Sequence, residues 1–293
     1  MEVGSRSMVD KIQTIVIKHA REAYVSQEYL NENWQKWGFF SCPDYNKCVE
    51  EYDAFEALIK KLVPDVRLLP KDEESGLDSI YTHDSVKFTE KGAIILNMGK
   101  NARKNEPKAM KVYLESIGVP ILGEITGEGT VEGGDVLWLE DNRVAIGRGY
   151  RTNDEGIRQF KELVKDLVDE VIVVPMPHGN NEEECLHLMS VISPIDKDLA
   201  VVYSRYMPVF FRQMLIKKGI KLIEVIDDEY MPLGCNVLTI EPRKVVLLKG
   251  NPDIKKKLLN EGVEVHEYEG QHISLPGNGG ATCMTAPLLR IKN

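Results

Sequence analysis

The sequence predicts an α/β protein in which five hairpin–helix–strand units close into one ring, a single domain over residues 1–293. Three observations carry that reading. The same order of elements recurs along the chain, with corresponding second strands beginning near Ala93, Val144, Leu199 and Val245, a period of about 45–55 residues. Each unit mixes a hairpin, a helix and a strand, so it cannot bury its own apolar faces and needs neighbours. Finally, the pieces of a fifth unit lie at the two ends of the chain.

The elements can be justified in order. TIVIK (Thr14–Lys18) reads as a strand, followed by a helix over Cys48–Leu62 and the strand VRLLP (Val66–Pro70). Its missing partner is Pro287–Ile291, which closes the ring by pairing with Thr14–Lys18. Ser85–Gly99 is a hairpin turning at Glu90–Lys91–Gly92; a helix about Pro107–Ser116 and the strand Val119–Glu124 complete that unit. Val136–Gly147 is a second hairpin, around Glu140–Asp141–Asn142–Arg143. Thr152 or Asn153 caps a helix running to about Val168, with Ile157, Phe160, Leu163 and Val164 on one face. The strand Val171–Met176 follows. Ser190–Tyr203 turns at Asp196–Lys197–Asp198 and leads into a helix to about Lys218 and the strand Lys221–Ile226. Asn236–Gly250 turns at Glu241–Pro242 and leads into a helix over Asp253–Asn260 and the strand Val263–Tyr268. Residues 1–12 read as a tag remnant or a flexible N-terminus. Arg21–Asp44, with Trp34, Trp37, Phe39 and Phe40, is an insertion: a packed flap, or an aromatic lid over the centre of the ring.

Composition narrows the function classes. The chain has 293 residues, 43% hydrophobic and 28% charged, which are globular values. A net charge of −9 argues against a nucleic-acid partner. No apolar run is long enough to span a bilayer, and no signal peptide is visible. Five cysteines, an odd number without close pairing, fit a reducing cytoplasm better than a disulfide framework. Cys42 and Cys48 have no matching pair downstream, so a zinc site is not expected. No metal or organic cofactor is required by the chemistry below, and the sequence leaves the oligomeric state open.

Chemistry-bearing residues stand just ahead of each hairpin: Asp84 in YTHDS, Glu132 in VEGGD, His187 in HLMS, Asn236 in GCNVL and Cys283 in GGATC. In a ring, equivalent positions converge on the axis. One site would then hold carboxylates for a planar cation with several N–H donors. It would also hold a thiol with an imidazole for covalent catalysis. Gly277, Gly279 and Gly280 let the backbone around Cys283 approach other groups closely. The sum points to nucleophilic attack on a guanidinium or amidinium carbon. Each residue also has a plainer reading. Asp84 and Asn236 can be turn residues, the Glu132–Asp135 run a turn between strands, His187 a satisfied polar residue, and Cys283 a packed strand cysteine. Cys185 and Cys235 read as packing residues. Arg151 is either an exposed ion-pair partner or an anchor for a substrate carboxylate.

VEGGDVLWL, GRGYRTNDEGI, HLMSVIS and NGGATCMTAPLLR together resemble the guanidino-group-modifying enzymes: dimethylarginine dimethylaminohydrolases, arginine deiminases and amidinotransferases. The resemblance runs from about Leu77 to the C-terminus and is nearest to the compact dimethylaminohydrolase-type members. It implies the pentein fold, a five-bladed α/β propeller of ββαβ units. It implies Cys283 as nucleophile, His187 as general acid and base, and Asp84 and Glu132 as guanidinium clamps, with Glu132 also counted in the catalytic set. Arg151 would bind the substrate carboxylate, and Asn236 would add an amide to the pocket. Two departures stand out. Met189 replaces the acidic residue that arginine deiminases carry two after the histidine. Asn97 stands where many relatives have a carboxylate-binding arginine, with Arg103 six residues on as a substitute. The expected reaction is hydrolysis of a small guanidino substrate, arginine or a methylated arginine, through a Cys S-alkylthiouronium, giving citrulline and an amine or ammonia. Two rivals remain: an amidinotransferase using an amine acceptor, and a non-catalytic propeller of the kind seen in the translation initiation factor 6 family.

Overall fold

The computed structural model describes residues 2–139, 142–179, 181–182 and 184–292. Strand β1 (Lys11–Ile17) leads through α1 (Ala20–Tyr24), α2 (Gln27–Asn33) and α3 (Tyr45–Leu62) to β2 (Asp65–Leu68). Next come β3 (Val86–Thr89), β4 (Gly92–Ile95), α4 (Glu106–Ser116) and β5 (Ile121–Glu124). The third group is β6 (Val136–Leu139), β7 (Arg143–Arg148), α5 (Asp154–Val164) and β8 (Glu170–Pro175). The fourth is β9 (Ile192–Asp196), β10 (Leu199–Val202), α6 (Val209–Lys217) and β11 (Lys221–Glu224). After the short helix α7 (Asp227–Tyr230) come β12 (Leu238–Glu241), β13 (Lys244–Leu248), α8 (Pro252–Asn260), β14 (Glu264–Tyr268) and finally β15 (Thr285–Ile291).

The strands form five three-stranded sheets, the blades of an α/β propeller. In each, the leading strand is antiparallel to the middle one and the middle one is parallel to the last. A parallel pair needs a crossover, and a helix supplies it every time. The first blade is closed as expected. β15 runs antiparallel to β1, with Ile15 opposite Pro287 and Ile17 opposite Thr285, and β1 runs parallel to β2.

The pattern of burial explains the layering. The middle strands GAII (β4) and LAVV (β10) are buried throughout, as strands covered on both faces must be. The last strands, such as DVRL (β2) and ILGE (β5), are half-exposed and lie at the rim. The apolar core is divided among clusters that join adjacent blades. Leu137, Ala145 and Val174 of the third group pack with Val202, Phe211 and Leu215 of the fourth. Ile195 and Val201 pack with Val245 and Ile254 of the next. The blades thus bury one another's faces.

Local signals hold with small shifts. Asn153 caps α5 by accepting a hydrogen bond from Gly156 N. That helix stops at Val164 rather than near Val168, because the amides of Leu167 and Val168 both turn back to the Val164 carbonyl. The hairpin at Pro242 closes through Arg243 in the left-handed region, φ 61°. The expected turn residues Glu140 and Asp141 lie outside the described residues. Among the described residues, no helix is long and apolar enough to cross a membrane.

One segment differs from the sequence reading, and a second takes one of the two forms expected of it. Residues before β1 are packed, not loose: Gly4 bridges to Leu289, and Arg6 bonds both Glu90 and the Leu167 carbonyl. The reason is that this segment crosses the end of the ring axis, where Val3, Ser5 and Ser7 become buried. The aromatic insertion is packed as well. Phe39 is buried against Tyr24, Phe40 N donates to the Pro276 carbonyl, and the Trp37 carbonyl accepts from Lys100 Nζ.

Candidate active site at one end of the ring axis

The turns that precede the leading strands converge, because each blade delivers its first strand from the same end of the axis. Asp84 lies in the turn Thr82–Ser85, Glu132 just before Gly133–Asp135, and His187 just before Leu188–Ser190. Asn236 precedes β12, and Cys283 precedes β15. Glycine makes the close approach possible. A Cβ on Gly134 would stand 2.3 Å from His187 Nδ1, and one on Gly280 would stand 2.5 Å from Asn236 Oδ1.

Charge is concentrated on one side. His187 Nε2 donates to Glu132 Oε2 at 2.7 Å, and Arg151 Nη1 donates to the same oxygen at 3.1 Å. Glu132 Oε1 accepts from Gly99 N at 3.0 Å and Lys100 N at 3.1 Å. Asp84 Oδ2 accepts from Arg103 Nη1 at 2.8 Å and Oδ1 accepts from Gly134 N at 2.9 Å. His187 Nδ1 stands 4.0 Å from Asp84 Oδ1 and 3.4 Å from Cys185 Sγ. On the other side, Asn236 Nδ2 donates to Cys283 Sγ at 3.1 Å, while Asn236 Oδ1 accepts from Thr282 N. A cleft of about 60 Å³ is lined by His187, Cys185, Asn236 and Cys283, with Glu184 and Met231 also on its wall. No lysine or arginine lines it among the described residues.

The protonation states follow from these neighbours. Burial alone would raise Glu132, but the bond from His187 and the Arg151 charge hold its carboxyl well below the usual range. Burial works against a charged His187 too; Cys185, Asp135 and Asp84 outweigh it and push the imidazole well above its ordinary value. Asp84 is held low by Arg103 and then His187 against the cost of burial. The Cys283 thiol goes the other way, pushed up to about 11 by burial and by the Asp84 charge, with the Asn236 bond and then the Gly280 backbone bond pulling down. An imidazolium and a neutral thiol therefore share the cleft at neutral pH.

Several sequence expectations are corrected here. Arg151 was expected as a carboxylate anchor or an exposed ion-pair partner; it is buried and paired with Glu132. Arg103 does not substitute for a missing far-end arginine, because it is buried between Asp84 and Glu106. Asn97 is spent on the neighbouring loop, donating to the carbonyls of Gly127 and Gly129. As guanidinium clamps, Asp84 and Glu132 are less open than expected, since every oxygen of both already accepts from a protein donor. Sequence reasoning missed Cys185 as a neighbour of His187. It also missed Asp78, a buried carboxylate bonded to Lys100 Nζ at 2.6 Å. The Arg103–Glu106 pair had a signal in its one-turn spacing; Asp78 had none. Glu132, Cys185 and His187 bring one ligand-capable atom each within 4.8 Å of one another. Their mutual hydrogen bonds account for that cluster, and a cation there would compete with the His187 proton.

Residues 31–290 match the family described as N,N dimethylarginine dimethylhydrolase, eukaryotic. The chain is 26% identical over 245 residues to the N(G),N(G)-dimethylarginine dimethylaminohydrolase of Pseudomonas aeruginosa, covering 83% of this chain and 89% of that one. A structure of the Pseudomonas aeruginosa enzyme, as a cysteine-to-serine mutant complexed with citrulline, superposes with a TM-score of 0.74 at 22% identity, over 94% of this chain and 99% of the other. SxtG, an amidinotransferase from Microseira wollei, superposes with a TM-score of 0.80 at 15% identity, over 99% and 98%. At these identities the two structures speak to the fold. Most of the chain falls within the matched family, and the five turns deliver a thiol, an imidazole and carboxylates to one place: the chain belongs to the dimethylarginine dimethylhydrolase family of guanidino hydrolases.

Proposed function

We propose that this hydrolase acts on arginine or a methylated arginine, with Cys283 as nucleophile and His187 as acid and base. The observation that carries the reading is the shared cleft of Cys283 and His187, with the imidazole bonded to Glu132 and held charged by Cys185, Asp135 and Asp84, and the thiol neutral. A guanidinium entering the cleft brings the missing positive charge to the thiol and favours its ionisation. The thiolate adds to the guanidinium carbon, forming a C–S bond. His187 gives its Nδ1 proton to the departing nitrogen as the C–N bond breaks, leaving an S-alkylthiouronium and free amine. Neutral His187 then takes a proton from water; the hydroxide adds to the same carbon, the C–S bond breaks, and the hydroxyl proton passes to the departing sulfur, giving back the neutral thiol and a ureido product. The citrulline in the Pseudomonas aeruginosa structure supports a product of that kind.

Glu132 and Arg151 act in this scheme as positioning residues for His187, and Asn236 as the donor that steadies the Cys283 sulfur. The aromatic segment 21–44 serves as a cover, since it ties Pro276 on the Cys283 side to Lys100 on the Glu132 side. A cytoplasmic setting is supported by five cysteines without disulfides. The amidinotransferase reading differs only in the acceptor of the second step. Incubation with arginine, monomethylarginine, dimethylarginine and agmatine, with and without an added amine acceptor, separates them. Ureido product with stoichiometric released amine is the expected result. Transfer of the amidino group to the acceptor would replace the hydrolytic reading, and no turnover of any of them would remove the substrate class.

A further inference from the structure

Behind the candidate active site the ring axis continues into a second cavity, with a volume of about 30 Å³. Every blade contributes a leading strand to its wall, including Lys87 from β3, Trp138 from β6, Ser193 from β9, Thr239 from β12 and Arg290 from β15. The N-terminal segment, through Ser5, Ser7 and Met8, forms the remaining wall. The polar groups here are unbalanced. Lys87 is only 5% exposed, and its Nζ has one partner, His83 Nε2 at 2.8 Å. His83 Nδ1 lies 3.0 Å from the Thr285 carbonyl, so Nδ1 carries the proton and Nε2 accepts. That leaves Lys87 with N–H groups that meet no acceptor among the described residues. Arg290 donates from Nη1 to the Asp10 carbonyl at 2.5 Å, and the rest of its fork has no acceptor among the described residues.

The hydroxyls do not correct the imbalance. Ser193 donates to the Cys235 carbonyl and Thr239 to the Pro194 carbonyl, so both protons are spent within the protein. Ser7 Oγ accepts from the amides of Val9 and Asp10, which leaves its proton unused. Thr282, also on the wall, has its Oγ1 buried without a partner. Among the described residues, no carboxylate lines the cavity. What faces the space is therefore two cations and spare donors. For the buried Lys87 this is costly unless an acceptor joins it or it gives up its proton, while Arg290 is partly exposed.

We propose that this axial cavity is a binding site for a small monovalent anion of halide type, held between Lys87 and Arg290. Size narrows the class: a space of about 30 Å³ has room for one or two water-sized particles, which a monatomic anion fits. The site also adjoins the chemistry, and His83, Met189 and Thr282 line both cavities. His83, which receives Lys87, donates its backbone N–H to the Cys283 carbonyl at 3.1 Å. Occupancy thus braces the turn that carries Cys283.

Affinity should depend on pH with a definite sign. Burial and the like charge of Arg290 pull Lys87 down to about 7, against Asp84, Asp135 and Cys283, which favour the charged form. Asp84 and Asp135 are already committed, to Arg103 and to the Leu188 amide. Burial also lowers Arg290, to about 9, against Asp10. His83 is held neutral by burial, then by Lys87. An anion binds the ammonium form, so binding strengthens below neutral pH and weakens above it.

The test uses the whole protein and bromide. Thermal unfolding is followed against bromide at about pH 6 and about pH 9, with ionic strength held constant by gluconate. Crystals soaked in bromide are measured for anomalous scattering. The expected result is a saturable rise in Tm, larger at the lower pH, and an anomalous peak between Lys87 and Arg290. Lys87→Met should weaken bromide binding roughly tenfold or more, the loss of one buried charge-assisted donor. Should that variant fail to fold, Arg290→Gln with the same titration takes its place. No saturable bromide effect, no axial peak, or unchanged affinity in the folded variant would overturn the site.

Discussion

The two sides of the catalytic cleft are built on opposite plans. On the His187 side each charge has its partner: Glu132 holds His187 and Arg151, and Asp84 holds Arg103. On the Cys283 side a neutral thiol holds a single side-chain bond, from Asn236. The first side is preorganised and its charges persist without substrate. The second carries a neutral thiol, which the proposed scheme activates when a cation arrives. The contrast teaches where catalytic power and selectivity are kept. An acid poised in advance costs nothing to assemble during turnover. A thiol that ionises only beside a guanidinium avoids reaction with other electrophiles.

The strongest way to break this contrast is to remove the thiol. Cys283→Ser should lower kcat by roughly 10⁴-fold or more while leaving thermal unfolding close to wild type, since a unit of covalent catalysis fails when its nucleophile is lost. Intact-mass measurement after a rapid quench should find a substrate-derived adduct on the wild-type chain, mapped to Cys283. Adduct on Cys185 would reverse the assignment of the two sides.

Next in size is the ionic side. Glu132→Gln leaves Arg151 and His187 without their shared carboxylate, in a place where Glu132 is fully buried. Stability should fall by about 3–5 kcal/mol, the cost of breaking a buried pair. kcat should fall roughly 10²–10⁴-fold, because His187 loses the carboxylate that orients it. The sign with pH is fixed by the depressed Glu132: its contribution is complete above the usual carboxylate range and disappears only in strong acid. Denaturant midpoints at neutral pH and in acid should therefore converge between wild type and variant as the pH drops.

Arg151→Ala sharpens the comparison further. If Arg151 acts by holding Glu132, kcat should fall roughly ten- to a hundredfold for agmatine and for methylated arginine alike. If it anchors a substrate carboxylate, KM alone should rise, and only for the substrates that carry one. The contact of Arg151 Nη1 with both Glu132 oxygens predicts the first pattern.

How legible was this from the sequence? The ring was, since the repeat of element order and the split fifth unit both follow from alternating apolar runs that the strands then bury. The convergence of Asp84, Glu132, His187, Asn236 and Cys283 was legible for the same reason: equivalent positions in equivalent units must meet at one end of the axis. What failed was the division of labour among charged residues. Arg103, Arg151 and Asn97 all looked available for substrate, and each is consumed by a partner distant in sequence: Asp84, Glu132 and the Gly127–Gly129 loop. Long-range ion pairing leaves no periodic mark. Cys185 was misread because its position two before His187 says nothing about which way the chain folds back. The N-terminal segment was misread because its polar, small residues are buried by the cavity they wall, not by an apolar pattern of their own.

The smallest expected effect tests the thiol's one side-chain bond. Asn236 Nδ2 pulls the Cys283 pKa down, against burial and Asp84, which leave it at about 11. At neutral pH only roughly one part in 10⁴ is thiolate, so alkylation by iodoacetamide should be slow and should rise about tenfold per pH unit. A saturating, unreactive guanidinium that leaves the sulfur accessible should accelerate it, because the cation supplies what the free site lacks. Asn236→Ala removes the donor and should slow alkylation by roughly tenfold or less, a single modest hydrogen bond. It also strips the Thr282 amide of its acceptor, so a stability loss of about 1 kcal/mol should accompany it. Asn236→Asp separates the two effects. The carboxylate keeps an acceptor for the Thr282 amide but places a negative charge against the sulfur, so stability should recover while alkylation slows further than in the alanine variant. Equal alkylation rates in all three proteins would mean that the thiol is governed by burial alone, and that the Cys283 side is even less preorganised than the single bond suggests.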